Sequence, residues 1–176
     1  MGILYDTKID TPIGRLTVAS SERGLTYVGL PRASGRGFAG FCVRHAPDDA
    51  VESAFEPNRE ACAQLDEFLN GKRQVFDLPL DLRGTEFQLR VLTAVSEISY
   101  GSTLSYGDVA RAIDQPAAVR AVGAANGANP IPLVVPCHRV VASSGQLQGY
   151  AGGLELKQRL LAMENTAAAS SQGMLL

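Results

Sequence analysis

One run of the chain concentrates side chains that could do chemistry: Asn129-Pro130-Ile131-Pro132-Leu133-Val134-Val135-Pro136-Cys137-His138-Arg139-Val140-Val141. Three prolines in an apolar stretch forbid a helix and hold the backbone extended, so Cys137 is expected at the end of a stiff strut. A cysteine acts as a nucleophile only as thiolate, which needs a nearby base or positive charge, and His138 and Arg139 are the next two residues. Neighbours in an extended chain point to opposite sides. Either the backbone turns at Cys137 or a water carries its proton to His138. The imidazole would need a third group to orient it. Glu164 is a candidate, because a carboxylate at the C-terminal end of a helix opposes the macrodipole and gains from a cationic partner. A structural cysteine beside a surface His and Arg is the plainer alternative.

Three further features could serve a site. Residues 117–125 read as a slim helix in which Ala117, Ala118, Ala121, Gly123, Ala124 and Ala125, with Gly127 beyond, leave Val119, Arg120, Val122 and Asn126 as the larger side chains. A glycine costs a helix about 1 kcal/mol relative to alanine, so some close approach is implied. That neighbour is either another helix or the minor groove of DNA, about 6 Å wide, with Arg120 projecting into it. Gly149-Tyr150-Ala151-Gly152-Gly153 either brings backbone amides close to a flat ligand, with Tyr150 stacked on it, or is a helix-entry loop. Tyr106 could offer a phenol donor.

The elements that must position these groups fall into two kinds. Segments 3–9, 15–20 and 24–30 are rich in Val, Ile, Leu, Thr and Tyr and are separated by Thr11-Pro12-Ile13-Gly14 and Ser21-Glu22-Arg23-Gly24, which predicts an antiparallel meander. Residues 31–56 read mostly as loop with room for one short helix. Asn58 is expected to cap a helix through Asn70, stopped by Gly71, and 74–80 to return as a strand. From Thr85 the pattern is helical. Thr85 with Gln88 and Ser105 with Asp108 have capping-box spacing, and Phe87, Val91, Leu92, Val95 and Ile98 form an apolar stripe. A short helix after Ser105 and the slim one after Pro116 have the outline of a helix-turn-helix. A last helix spans about 154–164. The expected organisation is an α+β chain: a companion domain over 1–82, a helical domain over 83–165, and a loosely ordered tail over 166–176.

Composition narrows the classes. The chain has 176 residues, 45% of them apolar and 19% charged, which argues for a compact fold rather than disorder. No stretch approaches the roughly 20 apolar residues of a membrane span, and the N-terminus is not a signal peptide, so no membrane partner is expected. Three cysteines, Cys42, Cys62 and Cys137, disfavour a disulfide framework and favour a reducing compartment, the cytoplasm by default. Sixteen basic against eighteen acidic residues give a net charge of −2, which by itself offers no support for nucleic acid.

Val135-Pro136-Cys137-His138-Arg139-Val140, with Arg120-Ala121-Val122-Gly123 and Asn129-Pro130 upstream and Gly149-Tyr150-Ala151-Gly152-Gly153 downstream, closely resembles the O6-alkylguanine-DNA alkyltransferases of the bacterial type. The match runs in order and spacing over about 85–164 and more loosely through the N-terminal part. The resemblance implies a ribonuclease-H-like companion domain and a winged-helix-like DNA-binding domain. It implies a suicidal repair protein that flips an O6-alkylated guanine out of duplex DNA through the minor groove. The alkyl group then passes irreversibly to Cys137, with O4-alkylthymine a poorer substrate.

By position, the resemblance makes Cys137 the acceptor, His138 its base through a water, Glu164 the orienting carboxylate and Asn129 the brace of the turn. Tyr106 would give a hydrogen bond to guanine N3. Arg120 would fill the gap left by the extruded base, and Ala121, Gly123, Tyr106 and Arg139 join it on the DNA side. Tyr150, Ala151, Val140 and Pro132 would line the pocket, with the backbone around Cys137, Val140 and Ala151 on the guanine edge. No cofactor and no metal are implied, Cys42, His45 and Cys62 making no convincing zinc set, and a monomer is expected. A cysteine hydrolase and a non-enzymatic helix-turn-helix binder are the competing readings.

Against this background the charge is uneven. Residues 1–82 hold nine basic and twelve acidic side chains, whereas 83–176 hold seven and six. Residues 115–154 contain Arg120 and Arg139 and no Asp or Glu. An acid-free face with few cations predicts few phosphate contacts and a shallow salt dependence.

Overall fold

The computed structural model describes the backbone of residues 1–33 and 35–173 and side chains as far as Asn165. It divides into two compact units, Met1–Gly84 with Pro130–Val134, and Thr85–Asn129 with the chain from Val135 onward.

In the first unit, β1 (Ile3–Thr11), β2 (Gly14–Ser21) and β3 (Gly24–Gly29) form the expected antiparallel meander. Leu16 and Val18 alternate onto the buried side of β2, Leu25 and Val28 are buried in β3 on either side of an irregularity in its pairing with β2, and α2 (Arg59–Leu69) contributes the buried Leu65 and Phe68. Gly24 turns with φ +139°, where a Cβ would stand 2.3 Å from the Pro79 carbonyl oxygen, so glycine is required there.

Three expectations in this unit need correction. The stretch 31–56 holds α1 (Gly37–His45) and also a strand, β4 (Ala50–Ser53), which adds to β1 in parallel and gives the order β3-β2-β1-β4. All four β4 residues are exposed, so no apolar alternation marks the strand; its pairing with β1 defines it. Asn58 precedes α2 but does not cap it. Its buried side chain donates instead to the Tyr5 and Ala54 carbonyls, both near 3 Å. Residues 74–80 form no strand beyond a single bridge between Leu25 and Leu80, since Pro79 has no N–H to extend a ladder.

The second unit is helical: α3 (Glu86–Ser96), α4 (Tyr106–Ala112), α5 (Val119–Gly127) and α6 (Leu154–Gly173). Both expected capping boxes are formed, Thr85 with Gln88 and Ser105 with Asp108. The α3 stripe is buried at Val91, Leu92 and Val95. The slim helix starts two residues later than expected because a turn closed by Ala118 N–H on the Gln115 carbonyl precedes it, and it runs through Asn126, whose side chain is buried. Strands β5 (Leu104–Ser105) and β6 (Val140–Val141) pair in parallel, which fixes the start of α4 beside the chain that follows Cys137. Helix α6 continues well past the expected end near 164. The tail expected over 166–176 lies outside the residues whose side chains are described. No helix among the described residues is long and apolar enough to cross a membrane.

Candidate active site

The segment that carries Cys137 bends rather than running out as a strut. Leu133 takes a left-handed conformation with φ 75°. Pro136, at φ −81° and ψ 65°, is the centre of an inverse γ-turn closed by the Cys137 N–H on the Val135 carbonyl at 2.8 Å. Residues Cys137–Arg139 then make a single 3-10 turn. The prolines still restrict φ as expected, but they shape a corner. The corner is held from two sides by amides: Asn129 Nδ2 donates to the Val135 carbonyl at 2.9 Å, and Asn126 Nδ2 to the Cys137 carbonyl at 3.2 Å.

Behind the turn stands a buried ionic cluster. His138 is fully buried, and its Nε2 lies 2.7 Å from Glu164 Oε1. Glu164 lies within α6 rather than at its end, so its charge is compensated by side chains and not by a helix terminus. Arg139 supplies the cation: Nε donates to both carboxylate oxygens at 3.1 and 2.9 Å, Nη2 to Oε1 at 2.8 Å, and Nη1 to the Ile98 carbonyl at 2.7 Å. Its guanidinium also lies over the Tyr100 ring. Arg139 is therefore corrected from the DNA side to the interior, since it is 6% exposed and its donors are committed to Glu164 and Ile98.

The electrostatics favour a neutral resting pair that must be activated. Burial pushes the Cys137 thiol up to about 11, opposed by a hydrogen bond from Asn129, the Lys157 charge, and the Cys137 and His138 backbone N–H groups. Burial also holds the His138 imidazolium below its ordinary range, with Arg139 and Lys157 adding to the effect and Glu164 opposing it. For Glu164, burial acts upward, but the hydrogen bonds from His138 and Arg139 outweigh it and keep the carboxylate ionised below its usual range. The imidazole can thus accept a proton, and Glu164 stands ready to stabilise the resulting cation.

The aromatic and basic residues around the thiol are brought together as well. The hydroxyl of Tyr106, at the start of α4, reaches the Gln148 carbonyl at 3.3 Å, and burial followed by the nearby Cys137 pushes its phenol up. Burial acts likewise on Tyr150, with Cys137 second, and its hydroxyl is buried with no hydrogen-bond partner among the described residues. Val140 is buried beside the turn, and Ala151 is half-buried next to Tyr150. Pro132 lies in the Pro130–Val134 segment of the first unit. Arg120 and Ala121 are exposed on α5, with Gly123 half-buried.

Two site residues were missed in the sequence, Asn126 and Lys157. Lys157 is fully buried; its Nζ donates to the Val140 carbonyl at 2.7 Å and the Gln148 carbonyl at 3.1 Å. Its spacing to Leu160 and Glu164 along α6 is a helical stripe, and charged residues on a buried stripe were the available signal. Because its charge favours the thiolate, Lys157→Met should slow alkylation of Cys137 by a small electrophile such as iodoacetamide. The pH–rate profile should move upward, costing about tenfold in rate below its inflection for each unit that the thiol rises. An unchanged profile would count against this role.

Cys42 and His45 both belong to α1 and Cys62 to α2. Among the described residues, no group of three or more His, Cys, Asp or Glu is placed to hold a metal ion.

Known proteins resemble the chain along its length. Residues 86–166 match the family described as 6-O-methylguanine DNA methyltransferase, DNA binding domain, and residues 4–82 match its ribonuclease-like domain. The methylated-DNA–protein-cysteine methyltransferase of Mycolicibacterium paratuberculosis is 42% identical, over 93% of this chain and 93% of its own. The protein of that name from Methanosarcina acetivorans is also 42% identical, over 93% and 99%. The crystal structure of Mycobacterium tuberculosis OGT in complex with DNA superposes with a TM-score of 0.78 at 41% identity, covering 94% of each chain. Likeness of this extent reaches both the sheet unit and the helical unit with its Pro-Cys-His-Arg corner, and the chain belongs to the 6-O-methylguanine-DNA methyltransferase family.

Proposed function

We propose that this protein repairs DNA by direct reversal: Cys137 takes the alkyl group, typically methyl, from guanine O6 in duplex DNA, once per molecule, with O4-alkylthymine a poorer substrate. The observation that carries this reading is the Cys137 corner itself, a buried thiol backed by the His138–Glu164 pair in a chain of this family. Because Nε2 of His138 is engaged by Glu164, proton transfer from the thiol uses Nδ1, through a water. The sulfur lone pair then forms the S–C bond as the C–O6 bond breaks, its electron pair going to the guanine, which takes up the proton released by the thiol. The product thioether is stable, so the protein is consumed. Tyr106 and Tyr150 supply hydroxyls beside the sulfur to the base in the pocket, and the uncommitted Tyr150 hydroxyl supports a polar ligand there.

The target atom is buried in the base stack, so the nucleotide must be extruded, at a cost of a few kcal/mol that is smallest for a lesion with impaired pairing. Helix α5 suits the minor groove. Arg120, Ala121 and Ala124 are exposed, a Cβ on Gly127 would meet no protein atom within 4 Å, and one on Gly123 would make only ordinary contact with the Tyr106 ring. Tight internal packing thus does not explain the glycines. In this reading, 83–165 is the catalytic and DNA-binding part, 1–82 its companion, and the protein acts as a monomer.

Arg120→Ala should slow transfer from alkylated duplex about tenfold or more while changing reaction with a free alkylated guanine base much less, since the free base needs no extrusion. Equal losses on both substrates would remove Arg120 from this role. The reading as a whole is tested by mixing protein with excess duplex containing O6-methylguanine. Restoration of guanine should stop at one equivalent per protein. Continued turnover, or acyl-ester hydrolysis with turnover, would favour a cysteine hydrolase; specific binding with no restoration would favour a non-enzymatic binder.

A further inference from the structure

We propose that Tyr100 is a positioning residue that acts on His138 through two others: its turn clamps Arg139 against Glu164, the carboxylate that the imidazole bonds. The proposal rests on the reading of His138 as the group that takes the Cys137 proton. After α3 the chain folds into a β-turn, Ser99-Tyr100-Gly101-Ser102, closed by the Ser102 N–H on the Ser99 carbonyl at 3.0 Å. Gly101 takes φ 79° while Tyr100 stays outside the left-handed region, the pattern of a type II turn, and glycine is the residue that permits it. The turn leaves Tyr100 half-buried, with its ring centroid 5.5 Å from Arg139 Cζ. That distance is within reach of a cation–π contact. Immediately before the turn, the Ile98 carbonyl accepts from Arg139 Nη1 at 2.7 Å.

The same short segment thus holds the guanidinium twice, by one edge and by its face. A guanidinium is a rigid fork, so these two contacts fix the direction of its other edge. Nε and Nη2 are left aimed at Glu164, where they make three hydrogen bonds of 2.8 to 3.1 Å. Oε1 of Glu164 accepts from Arg139 Nη2 and also lies 2.7 Å from His138 Nε2, so Arg139 and His138 share one oxygen. What Tyr100 does to Arg139 therefore reaches the imidazole through a single atom. A leucine would cover part of the same surface, but only an aromatic face attracts the charge.

The charged groups that face His138 are Glu164 and Lys157 from α6 and Arg139 from its own turn, with the Cys137 thiol adjacent. The Tyr100 and Tyr150 phenols, both pushed up chiefly by burial, stay neutral beside them. Glu164 favours the imidazolium, whereas Arg139 and Lys157 oppose it. Without the ring, Arg139 opens to water and its field at His138 is screened. His138 then takes up a proton at a higher pH and is lost as a proton acceptor sooner on acidification.

The test compares wild type, Tyr100→Phe and Tyr100→Leu, with Tyr100→Met in place of the last should it not fold, in single-turnover reactions with free O6-benzylguanine base. The base needs no extrusion, so benzyl mass on Cys137 against time, from about pH 5 to pH 8, reads the chemistry without DNA docking. Tyr100→Leu should move the acidic limb of the pH–rate profile up by about one unit, with transfer about tenfold slower below the inflection. At the alkaline end it should run within about twofold of wild type, because His138 is neutral there in both proteins. Tyr100→Phe keeps the aromatic face and should follow the wild type within about twofold throughout. A uniform loss in Tyr100→Leu with an unmoved limb would make the residue merely structural and overturn the proposal. So would a limb that moves down, a profile unchanged from wild type, or a shift in Tyr100→Phe as large as that in Tyr100→Leu. A wild-type protein that takes up no alkyl group from the free base or from alkylated duplex would instead overturn the proposed function, and that arm is read without any variant.

Discussion

Cys137→Ala should give a folded protein that still binds alkylated duplex and transfers nothing. The sulfur is the acceptor, and no other group in the pocket can replace it: the Tyr106 and Tyr150 phenols are pushed up by burial and stay protonated. The corner depends little on the thiol, because its main-chain bonds, the Asn126 amide on Cys137 and the Asn129 amide on Val135 all act on backbone atoms, and only the hydrogen bond from Asn129 to the sulfur is lost. Removing a small buried side chain costs on the order of 1 kcal/mol through the cavity it leaves. Electrophoretic mobility shift with alkylated duplex, together with intact mass after incubation, checks both halves. Retained transfer would refute the assignment of the nucleophile.

Glu164→Gln should slow transfer about a hundredfold at neutral pH, the range typical of losing an aligned general base. It also lowers stability by about 3 kcal/mol, as removal of one partner from a buried ion pair does. Two effects act on the rate. Glu164 is the group that favours the His138 imidazolium, so its loss depresses the basicity of an imidazole already lowered by burial. The Arg139 guanidinium is then left buried without a counterion, which further opposes a positive charge on His138. In the wild type, the folded-state value of Glu164 is depressed, so the stability it contributes is complete above the ordinary carboxylate range and is lost as pH falls through the depressed value. His138 is lowered as well, so the unfolded chain takes up its proton first and stability begins to fall below about pH 6.5. Urea melts across pH 3 to 8 should show a carboxylate-dependent loss in the wild type that is smaller in Glu164→Gln, where the depressed Asp49 and Asp81 still contribute. Single-turnover kinetics with alkylated duplex measure the rate effect, and a variant as fast as wild type would exclude Glu164 from proton transfer.

Much of this site was legible in the sequence because its chemistry is local. The Pro-Cys-His-Arg run, the two capping boxes and the meander of β1 to β3 are all specified by neighbours within a few residues. What was illegible depends on tertiary pairing. Strand β4 is exposed along its length and is defined by register against β1, so no alternation announces it. Arg139 reads in the sequence as one of two cations on an acid-free stretch, and only the packing of α6 against the turn reveals that it neutralises Glu164. The role of Asn126 was hidden for the same reason, since an Asn-Gly pair reads as a helix stop until its side chain is seen on the Cys137 carbonyl. The prolines illustrate the opposite case: their restriction of φ was readable, but whether it yields a strut or a corner depends on ψ at Pro136.

The most direct test of the central claim is the mass of the intact protein, followed by peptide mapping, after exposure to excess O6-benzylguanine. One benzyl group per molecule, located on Cys137 and absent from Cys42 and Cys62, is the predicted result. Benzylation elsewhere, more than one group per molecule, or an unmodified protein that releases free guanine with turnover would contradict it.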